Sequence, residues 1–224
     1  MKTLNPNRLL SAALAAVALS ALPAHADVIG FEGAASVGLY LPGESFSEGA
    51  FVLTALSDFG IVDSAGALGT QAPTGNATQF YFASNDGRLR LTTASGLGLN
   101  LGGFSAAFVA LNPPSAQTTV LVARGTLQDN STVSASFAFG SSTNANFPFV
   151  SYSGASFSAF NNLRQVDFFA CSWVAGLACT VPTANNGQFA IDNITVSVVP
   201  EPGAAVLLAL GLAGLALRAR RTAC

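Results

Sequence analysis

Between residues 50 and 198, apolar side chains recur at every second position in short runs, and that period admits strands and little else. Val133, Ala135, Phe137 and Phe139 alternate with Thr132, Ser134 and Ser136. Leu89 and Leu91 alternate with Arg88, Arg90 and Thr92, and Phe80 and Phe82 with Gln79 and Tyr81. Successive side chains of a strand point to opposite faces, so this pattern describes strands with one buried face. Further runs lie at Phe51–Leu56, Phe104–Leu111, Thr119–Leu127, Phe147–Tyr152 and Val166–Cys171. Between them fall turn markers, among them Asn85-Asp86-Gly87, Gly102-Gly103, Asn112-Pro113-Pro114, Asp129-Asn130 and Asn185-Asn186-Gly187. No stretch here sustains a helical apolar period for three turns. About ten short strands at this spacing predict an all-β fold, a single antiparallel jelly-roll-like β-sandwich. The 17 phenylalanines, all between residues 27 and 198, would fill its interior.

The last strand carries a local signal. Phe189 and Ile191 share one phase, whereas Ile194, Val196 and Val198 fall in the other, so the slip at Asp192-Asn193 predicts a β-bulge. No repeat or linker interrupts residues 27–198, which are expected to form one domain.

The two ends differ in kind. Lys2 and Arg8 precede the apolar run Leu9–Leu22, and Ala24 and Ala26 supply the small residues that signal peptidase accepts. Residues 1–26 are thus a secretory signal peptide cleaved after Ala26. At the other end, residues 199–224 comprise a Pro-rich acidic triplet, an apolar run from Ala204 to Leu217 and a cluster of Arg218, Arg220 and Arg221. As a helix the run spans about 21 Å, short of a hydrocarbon core of about 30 Å. A transmembrane helix this marginal, with arginines on the cytoplasmic side, suits a temporary halt followed by cutting.

The pattern Val199-Pro200-Glu201-Pro202, a short apolar helix with Leu207, Leu208, Gly211, Leu212, Gly214 and Leu215, and the terminal arginines resembles the PEP-CTERM sorting signal. The resemblance covers about a tenth of the chain. It implies recognition by an exosortase in the inner membrane of a diderm bacterium. Release toward the cell surface or an exopolysaccharide matrix would follow. A permanent C-terminal anchor is the competing reading.

Charge excludes one class of partner. Apart from the ends, Arg88, Arg90, Arg124 and Arg164 stand against ten acids, a net charge of −6, and lysine is absent. A basic stripe for phosphates is missing, so nucleic acid is not an expected partner.

Chemistry is restricted as well. The sole histidine, His25, lies in the signal peptide. The mature chain therefore lacks a histidine base, a Ser-His-Asp triad and any Ser-Lys or Schiff-base mechanism, and it is expected not to be an enzyme. A carboxylate pair of the glycosidase kind survives as a remote alternative, drawn from Glu44, Glu48, Asp58, Asp63, Asp86, Asp129 and Asp167. Cys171 and Cys179 are the only cysteines between the signals, and in an oxidising compartment they are expected to form a disulfide.

Phe31-Glu32-Gly33 with Ala190-Ile191-Asp192-Asn193-Ile194 resembles, loosely, the paired opening and closing strands of jelly-roll sugar-binding modules. In that class a structural calcium is held between an early acid and a late one, which makes Glu32 and Asp192 candidate ligands; the plainer reading is two solvated strand-end acids and no cofactor. Sugar sites favour aromatic platforms, for which Trp173, Tyr40, Tyr81 and Tyr152 are available, Trp173 foremost. Two roles compete: a structural or adhesive component of the cell surface or exopolysaccharide matrix of a biofilm, and a carbohydrate-binding module.

Overall fold

The computed structural model describes residues 26–33, 37–69, 72–109, 118–140, 146–173, 180, 187–199 and 211. Residues 26–199 form one compact unit. Among the described residues are eleven strands: β1 (Asp27–Ile29), β2 (Gly38–Tyr40), β3 (Ser45–Glu48), β4 (Phe51–Ser64), β5 (Gln79–Thr93), β6 (Leu99–Phe108), β7 (Thr118–Leu127), β8 (Thr132–Ala138), β9 (Val150–Ser153), β10 (Leu163–Trp173) and β11 (Phe189–Val198). One short helix, α1 (Ala65–Leu68), follows β4, and a single 3-10 turn spans Gly154–Phe157. No helix among the described residues is long and apolar enough to cross a membrane. The tail from Ala204 to Leu217 that was expected to do so lies outside the described residues, save Gly211.

The fold is all-β, and every pairing between strands is antiparallel. The strands make one continuous hydrogen-bonded sheet rather than two separate ones, because β4 and β5 run through both of its sections. In the first section the N-terminal half of β4 and the C-terminal half of β5 continue into β10, β7 and β8, with β3 at the opposite edge. In the second, the other halves continue into β11, β6 and β9, with β2 at the edge and β1 beside the end of β11.

The corner between the sections lies where Asn85-Asp86-Gly87 had suggested a turn ending one strand and starting another. The chain instead bends and goes on as strand. Asn85 and Asp86 adopt φ of 51° and 64°, and Asp58 on the facing strand φ of 50°. The β4–β5 register slips on both sides of Ser57. Asn and Asp tolerate left-handed backbone, and bulges sharpen strand bending, so the residues of a turn serve here as a hinge in two paired strands. Gly87 is required by space: a Cβ there would sit 2.8 Å from the carbonyl oxygen of Ser84 and 3.0 Å from that of Phe59. Gly102-Gly103 is likewise no turn but lies within β6, where Gly103 lets the backbone of β9 approach; a Cβ would stand 2.6 Å from Tyr152 O.

The inner faces of the two sections pack on each other. Phe104 of β6 meets Phe137 of β8 and Phe168 of β10, with ring centroids 4.9 and 5.4 Å apart and near-perpendicular planes, though β6 pairs with neither at those positions. Leu53, Leu89, Leu91, Val166, Leu121 and Ala123 come from the first section, and Val62, Tyr81, Ala83, Leu101, Phe189 and Ile191 from the second. Each fully buried aromatic or branched side chain contributes on the order of 1.5–3 kcal/mol.

The phase expected for Phe80 and Phe82 is reversed. Tyr81 and Ala83 enter the main core, while Phe80 and Phe82 point the other way into a second cluster with Val109, Ala190, Phe149 and the α1 residues Ala65 and Leu68. Because α1 and Phe149 cover that outer face, β5 is buried on both sides here and its alternation does not report the core. The bulge in β11 is present: pairing with β6 slips between Asp192 and Thr195, and Asn193 has φ of 51°. It returns Ile194 and Val196 to the core side.

Candidate functional site

β1 pairs with β11 at Ile29–Ile194, Val28–Thr195 and Asp27–Val196, so the opening and closing strands of the domain are neighbours. Glu48 holds the next residues in place by accepting the amides of Gly30 and Phe31 at 2.9 and 3.0 Å. This brings Glu32 near Asp192, close enough for its charge to act on that carboxyl. Asp192 is completely buried. Its Oδ1 accepts the Asn193 amide at 2.7 Å, and its Oδ2 accepts Asn76 Nδ2 at 2.7 Å, Asn193 Nδ2 at 2.9 Å and the Thr78 hydroxyl at 3.3 Å. Burial, foremost, pushes its pKa up to about 6, against the pull of those bonds and with help from the Glu32 charge.

These residues do not fit calcium. That ion takes six to eight oxygens, whereas Asp192 faces N–H and O–H donors and Glu32 Oε1 is committed to the Gln79 amide at 3.0 Å. Among the described residues no three carboxylates, histidines or cysteines gather. The cluster ties the 76–79 segment to the bulge of β11 as a self-contained network.

Six of the seven acids named for a glycosidase pair, all but Asp58, hold local partners, Glu48 those already given. Asp167 is ion-paired, Glu44 accepts the Leu41 amide at 2.8 Å, and Asp129 caps the β7–β8 hairpin through Ser131. Asp63 accepts the Ser64 amide and Asp86 that of Gly187. The three tyrosines differ in exposure: only Tyr81 is fully buried, while Tyr40 and Tyr152 are half-buried. Tyr81 is wholly buried, Tyr152 packs on Phe104 and Phe137 and donates to Ala138 O, and Tyr40 lies on Phe46 at 4.6 Å. The Trp173 side chain lies outside the described residues, as do Ala24, Cys179 and the motif residues Pro200, Glu201, Pro202, Arg218, Arg220 and Arg221. Ala26 is described and exposed. Cys171 is buried and disulfide-bonded.

A feature that sequence reasoning missed occupies the outer face of the first section. Residues in register on paired strands share a face, so β4, β5, β10, β7 and β8 present the row Thr54–Arg90–Asp167–Arg124–Ser134. Beside it runs Arg88–Phe169–Val122–Ser136. Arg90 grips Asp167 in a two-pronged pair, Nε to Oδ1 at 2.7 Å and Nη2 to Oδ2 at 2.9 Å. Arg88 and Arg124 lie over the Phe169 ring at 5.3 and 4.9 Å from its centroid, cation–π contacts on the order of 0.5–1 kcal/mol each. Among the described residues neither has a carboxylate partner. Three of the four arginines between the signals thus converge on one sheet face. Alternation in β5 placed Arg88 and Arg90 together, but only the pairing of β5, β10 and β7 adds Arg124. A shallow open depression of about 260 Å³ at the β6–β11 end, lined by Asn100, Ser158, Asn161 and Ser197, is the other concavity of note. There Asn100 is occupied by Ser197 and the Asn162 amide.

Comparison with known proteins bears first on the fold. A DUF4465 family protein from Bacteroides caccae is similar in structure, with a TM-score of 0.52 at 13% identity over 78% of this chain and 100% of that one. The CBM22-1 xylan-binding domain of Paenibacillus barcinonensis Xyn10C matches with a TM-score of 0.35 at 10% identity, over 80% of this chain and 98% of its own. The C-terminal family 22 carbohydrate-binding module of Clostridium thermocellum Xyn10B matches at 0.37 and 12%, over 77% and 92%. No curated protein matches the sequence. Residues 198–221 match the PEP-CTERM protein-sorting motif, and by that motif the chain is an exported protein sorted to the cell surface.

Proposed function

We propose that the chain is a non-enzymatic structural or adhesive protein of the cell surface or extracellular matrix, cut by an exosortase and associated with exopolysaccharide. Its jelly-roll-like domain is the part that performs the task. The observation that carries this reading is the junction of domain and motif. β11 ends at Val198, Val199 N donates to Gly98 O at 2.8 Å, and the sorting motif begins at residue 198. Among the described residues of the domain the last backbone hydrogen bond is that of Val199, and a cut beyond Pro200 leaves every described strand paired.

A second reading, a carbohydrate-binding module, is favoured by the polar outer face of the first section, where rigid strands present Thr, Arg, Asp and Ser side chains in rows. Replacing Pro200, Glu201 and Pro202 with alanine in the producing cell tests the first. The expected result is a chain that keeps its tail through Cys224 and stays in the inner membrane, while the native protein reaches the surface without it. Native surface material with an intact C-terminus would overturn the proposal.

A further inference from the structure

We infer that the outer face built by β5, β10 and β7 is a binding surface for a carboxylate-bearing polysaccharide, gripped by Arg88 and Arg124. This rests on the surface or matrix location proposed above and names the polymer the domain meets there.

Charge placement carries the argument. With ten acids and four arginines between the signals, uniform placement would leave each arginine among carboxylates. Instead three of them occupy adjacent positions on one face, and a single acid, Asp167, stands among them. That acid is spent on Arg90, so the remaining field comes from Arg88 and Arg124. Both guanidiniums rest on the Phe169 ring, which restrains them while leaving their N–H edges available. A planar guanidinium presents paired donors that match a carboxylate, and restraint lowers the ordering cost of binding. β5 and β7 flank β10, about 10 Å apart at the usual strand spacing, a reach that suits successive sugar rings of a linear chain. Thr54 and Ser134 extend the row at both ends with hydroxyls for sugar hydroxyls.

The polymer is a polyuronate rather than a nucleic acid for two reasons. Two uncommitted arginines in a domain of net charge −6 cannot compensate the dense phosphates of a duplex. Phe169 itself is 5% exposed and covered by arginines, so it offers no ring for base stacking.

The test uses the mature protein recovered from the producing cell, immobilised, with polygalacturonate, its fully methyl-esterified form, and duplex DNA as probes. Polygalacturonate is expected to bind, to weaken as salt rises, and to lose at least tenfold in affinity with Arg88→Gln/Arg124→Gln. Arg164→Gln, at the register slip of β10 and in neither of these rows, is expected to change affinity less than twofold. Should the double variant fail to fold, Ser134→Glu places a negative charge beside Arg124 at an exposed strand position and is expected to weaken binding similarly. Equal binding of the esterified polymer, unchanged affinity in these variants, or DNA bound as tightly as polygalacturonate would overturn the inference. Localisation reads the parent proposal separately: a protein that reaches the surface yet ignores polygalacturonate sinks this inference alone.

Discussion

At the scale of single residues, buried polar atoms carry the clearest consequences. Tyr81 sits in the core with its hydroxyl unpaired among the described residues, facing Gly60, where a Cβ would lie 2.0 Å from Oη. Burial raises its pKa well above the usual tyrosine value. An unmet hydroxyl costs about 1–3 kcal/mol, so Tyr81→Phe is expected to stabilise the domain by roughly 1 kcal/mol, read from denaturant midpoints. Asp192 sets a pH dependence. Its folded pKa of about 6 exceeds the unfolded value of roughly 4, so between them the native state holds more protons. Stability from this group therefore falls as pH rises from about 4 to about 6. Asp192→Asn should flatten the melting temperature across that window; an unchanged slope would refute the assignment. Since the donors around Asp192 do not fit calcium, a chelator is expected to leave the melting temperature where it was.

At the scale of elements, the paired strands β4 and β5 and their corner decide how the two sections meet. Gly87→Ala should cost about 1–3 kcal/mol, because its Cβ would press on two carbonyl oxygens that cannot move without breaking the β4–β5 ladder. Phe104 joins the sections through Phe137 and Phe168, and Phe104→Ala is expected to cost about 3–5 kcal/mol in urea unfolding. Alternation located β7, β8, β10 and the bulge of β11, although Val120, Val122, Phe169 and Cys171 also bury part of the outer side of β7 and β10 in a cluster of their own. It misread β5, whose first half is buried on both faces, and the Asn85-Asp86-Gly87 hinge. Residues that favour left-handed backbone mark a place where the chain changes direction; they do not say whether hydrogen bonding stops there.

At the scale of the whole molecule, the last strand of the domain ends at Val198, where the sorting motif begins, and Cys171 of the domain is disulfide-bonded. Denatured mature protein is expected to titrate no free thiol, with Cys224 removed along with the tail. One reactive thiol would mean that the tail had been retained or the disulfide lost. The outer face of the first section is a property of this scale alone. Arg88 and Arg90 are 34 and more positions from Arg124, and Asp167 lies a further 43 on, so nothing local relates them.

Export, sorting and the all-β class were written in the sequence itself. Those features are local: short runs of charge, apolarity and alternation act through contacts along the chain or with a membrane. The merging of two sections into one bent sheet, the closing of the Asp192 network against a metal, and the gathering of arginines around Phe169 were decided by tertiary structure. They depend on which strands lie side by side, and strand pairing is a long-range choice made by burying the whole core at once.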